Sequence, residues 1–344
     1  MKKFNVMLVG CGGMANTWIR YLKNRADVQV VALCDIIIER AEKMRVDYEL
    51  DCKVFDEIKK AFDNSNELEI NLVADCTTPD AHEYIVTTAL GFGCNVIGEK
   101  PMAETREQAL SEINAAKKAG KTYAVMQNRI YLPGMRAIRK AVNEENIIGQ
   151  LGYIGSDFFI GAHFGGFRDL MDNVLILDMA IHTFYQARFL AKSNPVSVYC
   201  HEFNPHWSWY KGNASAIAIF EFENGVVYNY TGSWCSEGHN TTWECDWRLI
   251  GGKGTIKWNG GDNLTADVLK PDEKGFINAC ERVVIDMPKP EKNYGHEGCF
   301  DEMFNALIDG RPAETDCNDN YYAMNMVYGA IESAKYNKKI MLDK

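Results

Sequence analysis

Two short stretches carry side chains that could move a proton. Asp178 and His182 stand four apart in Leu177-Asp178-Met179-Ala180-Ile181-His182, a segment with a helical pattern, so both point at one spot. Histidine titrates near neutrality, and a neighbouring carboxylate orients it and favours its protonated form. Such a pair suits removal of a proton from an alcohol while hydride leaves the same carbon, although an ordinary surface ion pair has the same spacing. Lys100, in Glu99-Lys100-Pro101, falls at a strand tip. There an ammonium can hydrogen-bond a substrate hydroxyl and stabilise the charge it gains, with Pro101 fixing the backbone; a solvated loop lysine is the plain alternative.

A hydride needs an acceptor, and the N-terminal stretch offers a place for one. The apolar run Phe4-Asn5-Val6-Met7-Leu8-Val9 leads into Gly10-Cys11-Gly12-Gly13-Met14-Ala15, a G-x-G-x-x-A dinucleotide fingerprint. Gly10 permits the sharp turn, Gly12 lets N–H groups approach a pyrophosphate, and Ala15 lets the helix pack closely. The phosphates would sit on the positive end of that helix. The next strand, 28–34, ends in Asp35, whose carboxylate can accept both ribose hydroxyls. Ile36, Ile37 and Ile38 offer no cation for a 2′-phosphate, which points to NAD rather than NADP. Thr78-Pro79 ends a later strand, where Thr78 could touch the nicotinamide ribose; His82, four residues on, either joins it or serves the helix start.

The elements that must position these residues alternate through the first third. Strands are expected near 4–9, 28–34, 52–55, 69–76, 94–98 and 123–126, with helices between them, an order that builds a parallel sheet wrapped on both faces. Asp35, Thr78 and Lys100 all fall at carboxyl ends, where such sheets bind ligands. From about residue 127 the pattern changes. A helix near 134–143, a strand at 151–161 and a helix over 174–191 precede long strands at 196–203, 214–223, 226–235, 242–250 and 255–258. The turns Glu223-Asn224-Gly225 and Gly251-Gly252-Lys253-Gly254 read as hairpins. Helices near 296–308 and 318–336 complete the chain. The expectation is an α/β protein: a doubly wound Rossmann domain over 1–127, and an α+β domain over 128–344 with an open, mostly antiparallel sheet.

Bulk properties narrow the partners. A length of 344 residues suits two cores, and 47% hydrophobic with 24% charged residues is ordinary for globular chains. A net charge of -10 argues against nucleic acid or an anionic membrane. Eleven cysteines without a C-x-x-C pair suggest a reducing cytoplasm, with neither disulfides nor zinc. Met1-Lys2-Lys3 and the residues after it read as the entry to a strand rather than as a signal peptide, and no apolar run is long enough to span a bilayer. The histidines show no metal-ligand spacing. Six of the seven tryptophans follow residue 200, where sheet core or a subunit interface accounts for most of them and a sugar face is the rarer use.

Taken in order, Gly10-x-Gly12-x-x-Ala15, Asp35, Thr78-Pro79-x-x-His82, Glu99-Lys100-Pro101 and Asp178-x-x-x-His182 resemble the Gfo/Idh/MocA oxidoreductases, over nearly the whole chain. The resemblance implies Lys100, Asp178 and His182 as the catalytic set, the histidine acting as acid/base, the lysine assisting and the aspartate holding substrate and histidine in place. It implies NAD contacts from Gly10, Gly12, Gly13, Met14, Ala15, Asp35, Thr77, Thr78, Pro79, His82, Glu99, Lys100 and Asn128. Substrate contacts would come from Lys100, Arg129, Tyr131, Arg168, Asp178 and His182, with no metal. Two departures fall on the substrate side: Met171–Leu177 lacks the consecutive glycines common there, and Phe167 stands where the usual loop has tryptophan before Arg168. The expected activity is oxidation of a secondary hydroxyl of a sugar, sugar derivative or cyclitol. Transient sugar oxidation with tightly held NAD, in a lyase or hydrolase, uses the same residues, and a non-catalytic NAD and sugar sensor is a further reading. A carbohydrate or polyol substrate and a homodimer or homotetramer through the C-terminal sheet complete the expectation.

Overall fold

The computed structural model describes residues 4–63, 65–272, 275–288 and 294–343; the expectation for Met1-Lys2-Lys3 lies outside them. The chain divides into two units: Met1–Met126 with Cys299–Tyr321, and Gln127–Gly298 with Tyr322–Lys344.

The first unit alternates β1 (Phe4–Val9), α1 (Ala15–Asn24), β2 (Val28–Cys34), α2 (Ile38–Asp47), β3 (Lys53–Phe55), α3 (Ile58–Asp63), α4 (Ser65–Leu68), β4 (Leu72–Asp75), α5 (Pro79–Gly91), β5 (Asn95–Gly98), α6 (Arg106–Ala119) and β6 (Tyr123–Val125). The six strands are parallel in the order β3-β2-β1-β4-β5-β6. Helices cover both faces, so central strands such as β4 are buried throughout and read as continuous apolar runs. The order reverses between β1 and β4, the switch point at which open α/β sheets bind ligands. Here the expected Rossmann architecture is borne out.

The segment 299–321 also belongs to this unit, although the sequence placed all of 128–344 in one domain. The cause is aromatic packing. Phe300 meets Trp18 edge-on at 4.7 Å and stacks on Tyr21 at 4.5 Å, while Phe304 meets Phe4 at 5.2 Å. Tyr21 donates to Asp301 Oδ1 at 2.5 Å, and the Val125 N–H donates to the Thr315 carbonyl at 3.0 Å.

The second unit holds α7 (Pro133–Asn143), β7 (Leu151–Phe159), α8 (Ile181–Ala191), β8 (Pro195–Phe203), β9 (Ser215–Phe222), β10 (Val227–Ser233), β11 (Asp246–Gly251), β12 (Gly254–Trp258), β13 (Leu264–Leu269) and β14 (Cys280–Val284). α9 (Gly295–Asp309) passes into the first unit at Cys299, and α10 (Cys317–Tyr336) returns to the second at Tyr322, ahead of β15 (Ile340–Met341). The nine strands run β14-β13-β12-β11-β7-β10-β9-β8-β15 and are antiparallel except for the parallel pair β7–β10. α8 lies on one face, where Phe184 packs against Phe220 at 4.7 Å and Tyr230 at 5.3 Å.

Three details differ from the sequence reading. β13, β14 and β15 were not expected; every residue of β14 is exposed, so no buried alternation marks it. The strand expected from 242 starts at Asp246, because 242–245 is a turn with Cys245 at φ 66°. The helix expected over 174–191 is a π-helix at Leu175–Ala180 running into α8.

Candidate active site

The first unit brings its predicted residues to the carboxyl ends of β1, β2, β4 and β5. Gly10 has φ 82°, and a Cβ there would lie 2.7 Å from the Cys76 backbone, so no other residue fits. Asp35 ties β2 to this turn: its Oδ2 accepts the Cys11 N–H at 2.8 Å and its Oδ1 the Ile37 N–H at 2.8 Å. Ala15 is buried, as close helix packing requires, whereas Met14 is exposed. On β4, Asp75 Oδ1 accepts both the Thr77 N–H at 3.0 Å and its hydroxyl at 2.6 Å. Thr78 precedes α5 with Pro79 at its first position. His82 is fully buried with Nε2 3.1 Å from the Thr77 carbonyl, so it braces the turn rather than presenting its ring to a ligand. Beyond β5, Glu99 is buried, accepting the Trp18 indole at 2.7 Å and the Lys100 N–H at 3.2 Å. Lys100 is half-buried, joined to Pro101 by a cis peptide.

These residues fit a dinucleotide. Nothing lies within 4 Å of where a Cβ on Gly12 or Gly13 would stand, and among the described residues the N–H groups of both glycines make no hydrogen bond. Open space faced by bare donors at a helix start is what a pyrophosphate needs. The Asp35 oxygens keep lone pairs for ribose hydroxyls.

The second unit holds the candidate pair, Asp178 and His182. Asp178 lies in the π-helical stretch and His182 in the first turn of α8; His182 is 6% exposed. Arg168 donates from Nε to Asp178 Oδ2 at 2.9 Å, so the loop arginine fixes the carboxylate. The guanidinium itself lies over the rings of Phe164 and Phe167, at 5.0 and 4.8 Å.

Other expected contacts are engaged within the unit. Asn128 Nδ2 lies 3.2 Å from His296 Nδ1. Arg129 bonds the Trp243 carbonyl and pairs with Glu244 at 3.1 Å, while its own carbonyl accepts from Gln186 at 3.3 Å. It therefore pins the 3-10 turn Asn128–Tyr131 to α8 and to the segment before β11. Burial raises the Glu244 carboxyl and Arg129 counteracts it. Tyr131 is buried beneath the Arg136 guanidinium at 4.3 Å. Among the described residues no group of three His, Cys, Asp or Glu is arranged to hold a metal.

Comparison with known proteins decides the family. Residues 4–127 match the model of an oxidoreductase family with an NAD-binding Rossmann fold, GFO/IDH/MocA, and residues 135–257 match the GFO/IDH/MocA C-terminal domain. The chain belongs to the Gfo/Idh/MocA oxidoreductase family. It is 24% identical to the uncharacterised protein y4oX of Sinorhizobium fredii, across 98% of this chain and 95% of that protein. It is also 26% identical to an inositol 2-dehydrogenase of Rhizobium meliloti over 56% of each, so the match spans about half the length of that relative. An Agrobacterium radiobacter oxidoreductase, solved with NAD+, L-tartaric acid and magnesium, shares the fold at TM-score 0.85 and 19% identity, over 98% of both chains. The first domain of this Gfo/Idh/MocA protein is thus an NAD-binding Rossmann domain, as expected.

Within this family member some neighbours of the site carry no sequence signal. Glu244 pairs with an arginine 115 residues away. Glu112, a charged position on α6, is fully buried. Trp243 and Phe164 are partly exposed, whereas Trp234, Trp247 and Trp258 are core residues as expected.

Proposed function

We propose that this protein is an NAD-dependent dehydrogenase that oxidises a secondary hydroxyl of a sugar, sugar derivative or cyclitol. The observation that carries the reading is a buried His182 one helical turn after a partly buried Asp178, whose carboxylate Arg168 fixes, in a chain whose other unit cradles a dinucleotide. NAD supplies the hydride acceptor. His182 takes the hydroxyl proton at an imidazole nitrogen, Asp178 holds the ring and substrate in place, and the Lys100 ammonium donates to the oxygen as its charge grows. Asp35, with Ile36 89% exposed beside it, supports NAD over NADP. Tyr199 and Ile219 pair across β8 and β9 and are exposed with Ile217, which supports assembly of copies through this sheet. Eleven free cysteines support a reducing, cytoplasmic setting.

The test is NADH absorbance with purified protein, NAD or NADP, and a panel of sugars, sugar acids and inositols. One polyol class should give NADH, with NADP poor. Lys100→Ala and His182→Ala should each lower kcat/KM by roughly a hundredfold or more while NAD still binds. Full activity in both variants overturns the assignment. A flat trace with NAD released on denaturation favours transient oxidation instead.

A further inference from the structure

At one end of the nine-stranded sheet three loops meet. β7 and β10 run parallel, and β9 and β11 run against them, so segments 160–174, 204–214 and 234–245 share one rim. They are tied together there: Gly161 bridges Cys235, Trp209 Nε1 donates to the Ala162 carbonyl at 3.1 Å, and Trp207 Nε1 to the Cys235 carbonyl at 3.4 Å.

This rim carries rings that the sheet does not bury. Trp234 is buried and anchors two others, Phe164 at 5.1 Å and Trp243 at 5.5 Å between centroids. Those two are 41% and 46% exposed, and Phe167 is 65% exposed. Arg168 lies over both phenylalanines, held by Asp178 through Nε alone; its two terminal nitrogens make no hydrogen bond among the described residues. Clustered exposed rings mark a binding surface rather than a core, and the guanidinium beside them still has donors to give. The surface lies one arginine's width from the candidate catalytic carboxylate.

We propose that Phe164, Phe167 and Trp243, with Arg168, form a second subsite that stacks a further ring of the substrate, making the preferred substrate a glycoside rather than a free monosaccharide or cyclitol. The assignment of the reacting ring rests on the dehydrogenase reading; the stacking does not. The shared chemistry is a flat ring face, either an aryl aglycone or the C–H face of a second sugar, laid on the aromatics. The outer N–H groups of Arg168 donate to the linkage oxygen or a ring hydroxyl. Because Arg168 also holds Asp178, an occupied subsite steadies that carboxylate.

The experiment is calorimetric titration of the full chain with NAD present, using free sugars and inositol, their 4-nitrophenyl glycosides, and the corresponding disaccharides, alongside NADH kinetics. Glycosides should bind about tenfold more tightly than the free sugars. Phe167→Ala and Trp243→Ala, each checked for an intact melting transition, should remove most of that preference. A preference for the aryl compounds assigns the subsite to an aglycone ring, and one for disaccharides assigns it to a second sugar. Equal binding of glycoside and free sugar, or a preference that survives both substitutions together, overturns the proposal. Glycosides that bind through these rings without being oxidised keep the subsite and overturn the dehydrogenase reading. Free sugars oxidised without any glycoside preference do the reverse.

Discussion

Glu112 is a carboxyl in the wrong place for a charge. It is fully buried on α6, and burial, aided by Asp75 and Glu83, pushes it up to about 9, against the opposing pull of Tyr123. Tyr123 and the Cys317 thiol, packed beside it from β6 and α10, are themselves raised and stay protonated. Between the ordinary glutamate value of 4.5 and about 9 the folded chain therefore keeps a proton that the unfolded chain has lost. Stability from this group is full below 4.5, falls as pH rises to about 9, and levels off above. Glu112→Gln, neutral at every pH, should flatten that slope by at least a few degrees of Tm between pH 6 and 9. Parallel pH–Tm curves for the two proteins would show that Glu112 is ionised when folded. Nothing in the sequence marks this residue, since a glutamate in a helix reads as solvated. Gly10 and Asp35 were legible because their work is local, a turn and a strand tip. Arg129 stood out only through the family resemblance, and its partner Glu244 not at all, because only the fold brings the two together.

At the scale of elements, apolar periodicity was enough for the buried strands and not for exposed or irregular ones. β14 has no buried residue, and the π-helical stretch before α8 has the same apolar pattern as an α-helix. The start of α7 shows how tightly such elements meet. A Cβ on Gly134 would stand 2.4 Å from Cζ2 of Trp258, whose indole is buried and donates to the Gly261 carbonyl at 2.7 Å. Gly134→Ala should therefore cost about 1–3 kcal/mol, read as a lower urea midpoint at unchanged m. An unchanged midpoint would mean that Trp258 has room to move.

At the scale of the molecule, the change of architecture near residue 127 was visible in one dimension, but the return of 299–321 to the first unit was not. A helix near the C-terminus reads the same whichever unit it covers. Its choice is made by Phe300 and Phe304 against Phe4, Trp18 and Tyr21. Phe300→Ala should cost about 3–5 kcal/mol and lower the unfolding transition that added NAD raises. A variant whose NAD-protected transition is unmoved would show that the first unit stands without this segment.

That return has a consequence for synthesis. A ribosome making this chain finishes β6 long before Phe300 emerges, and Gln127–Gly298 must be translated in between. At about 5–20 residues per second the wait is roughly ten to thirty seconds. Through it the nascent first unit shows its aromatic flank to every chaperone and neighbouring chain, and the last helices close it.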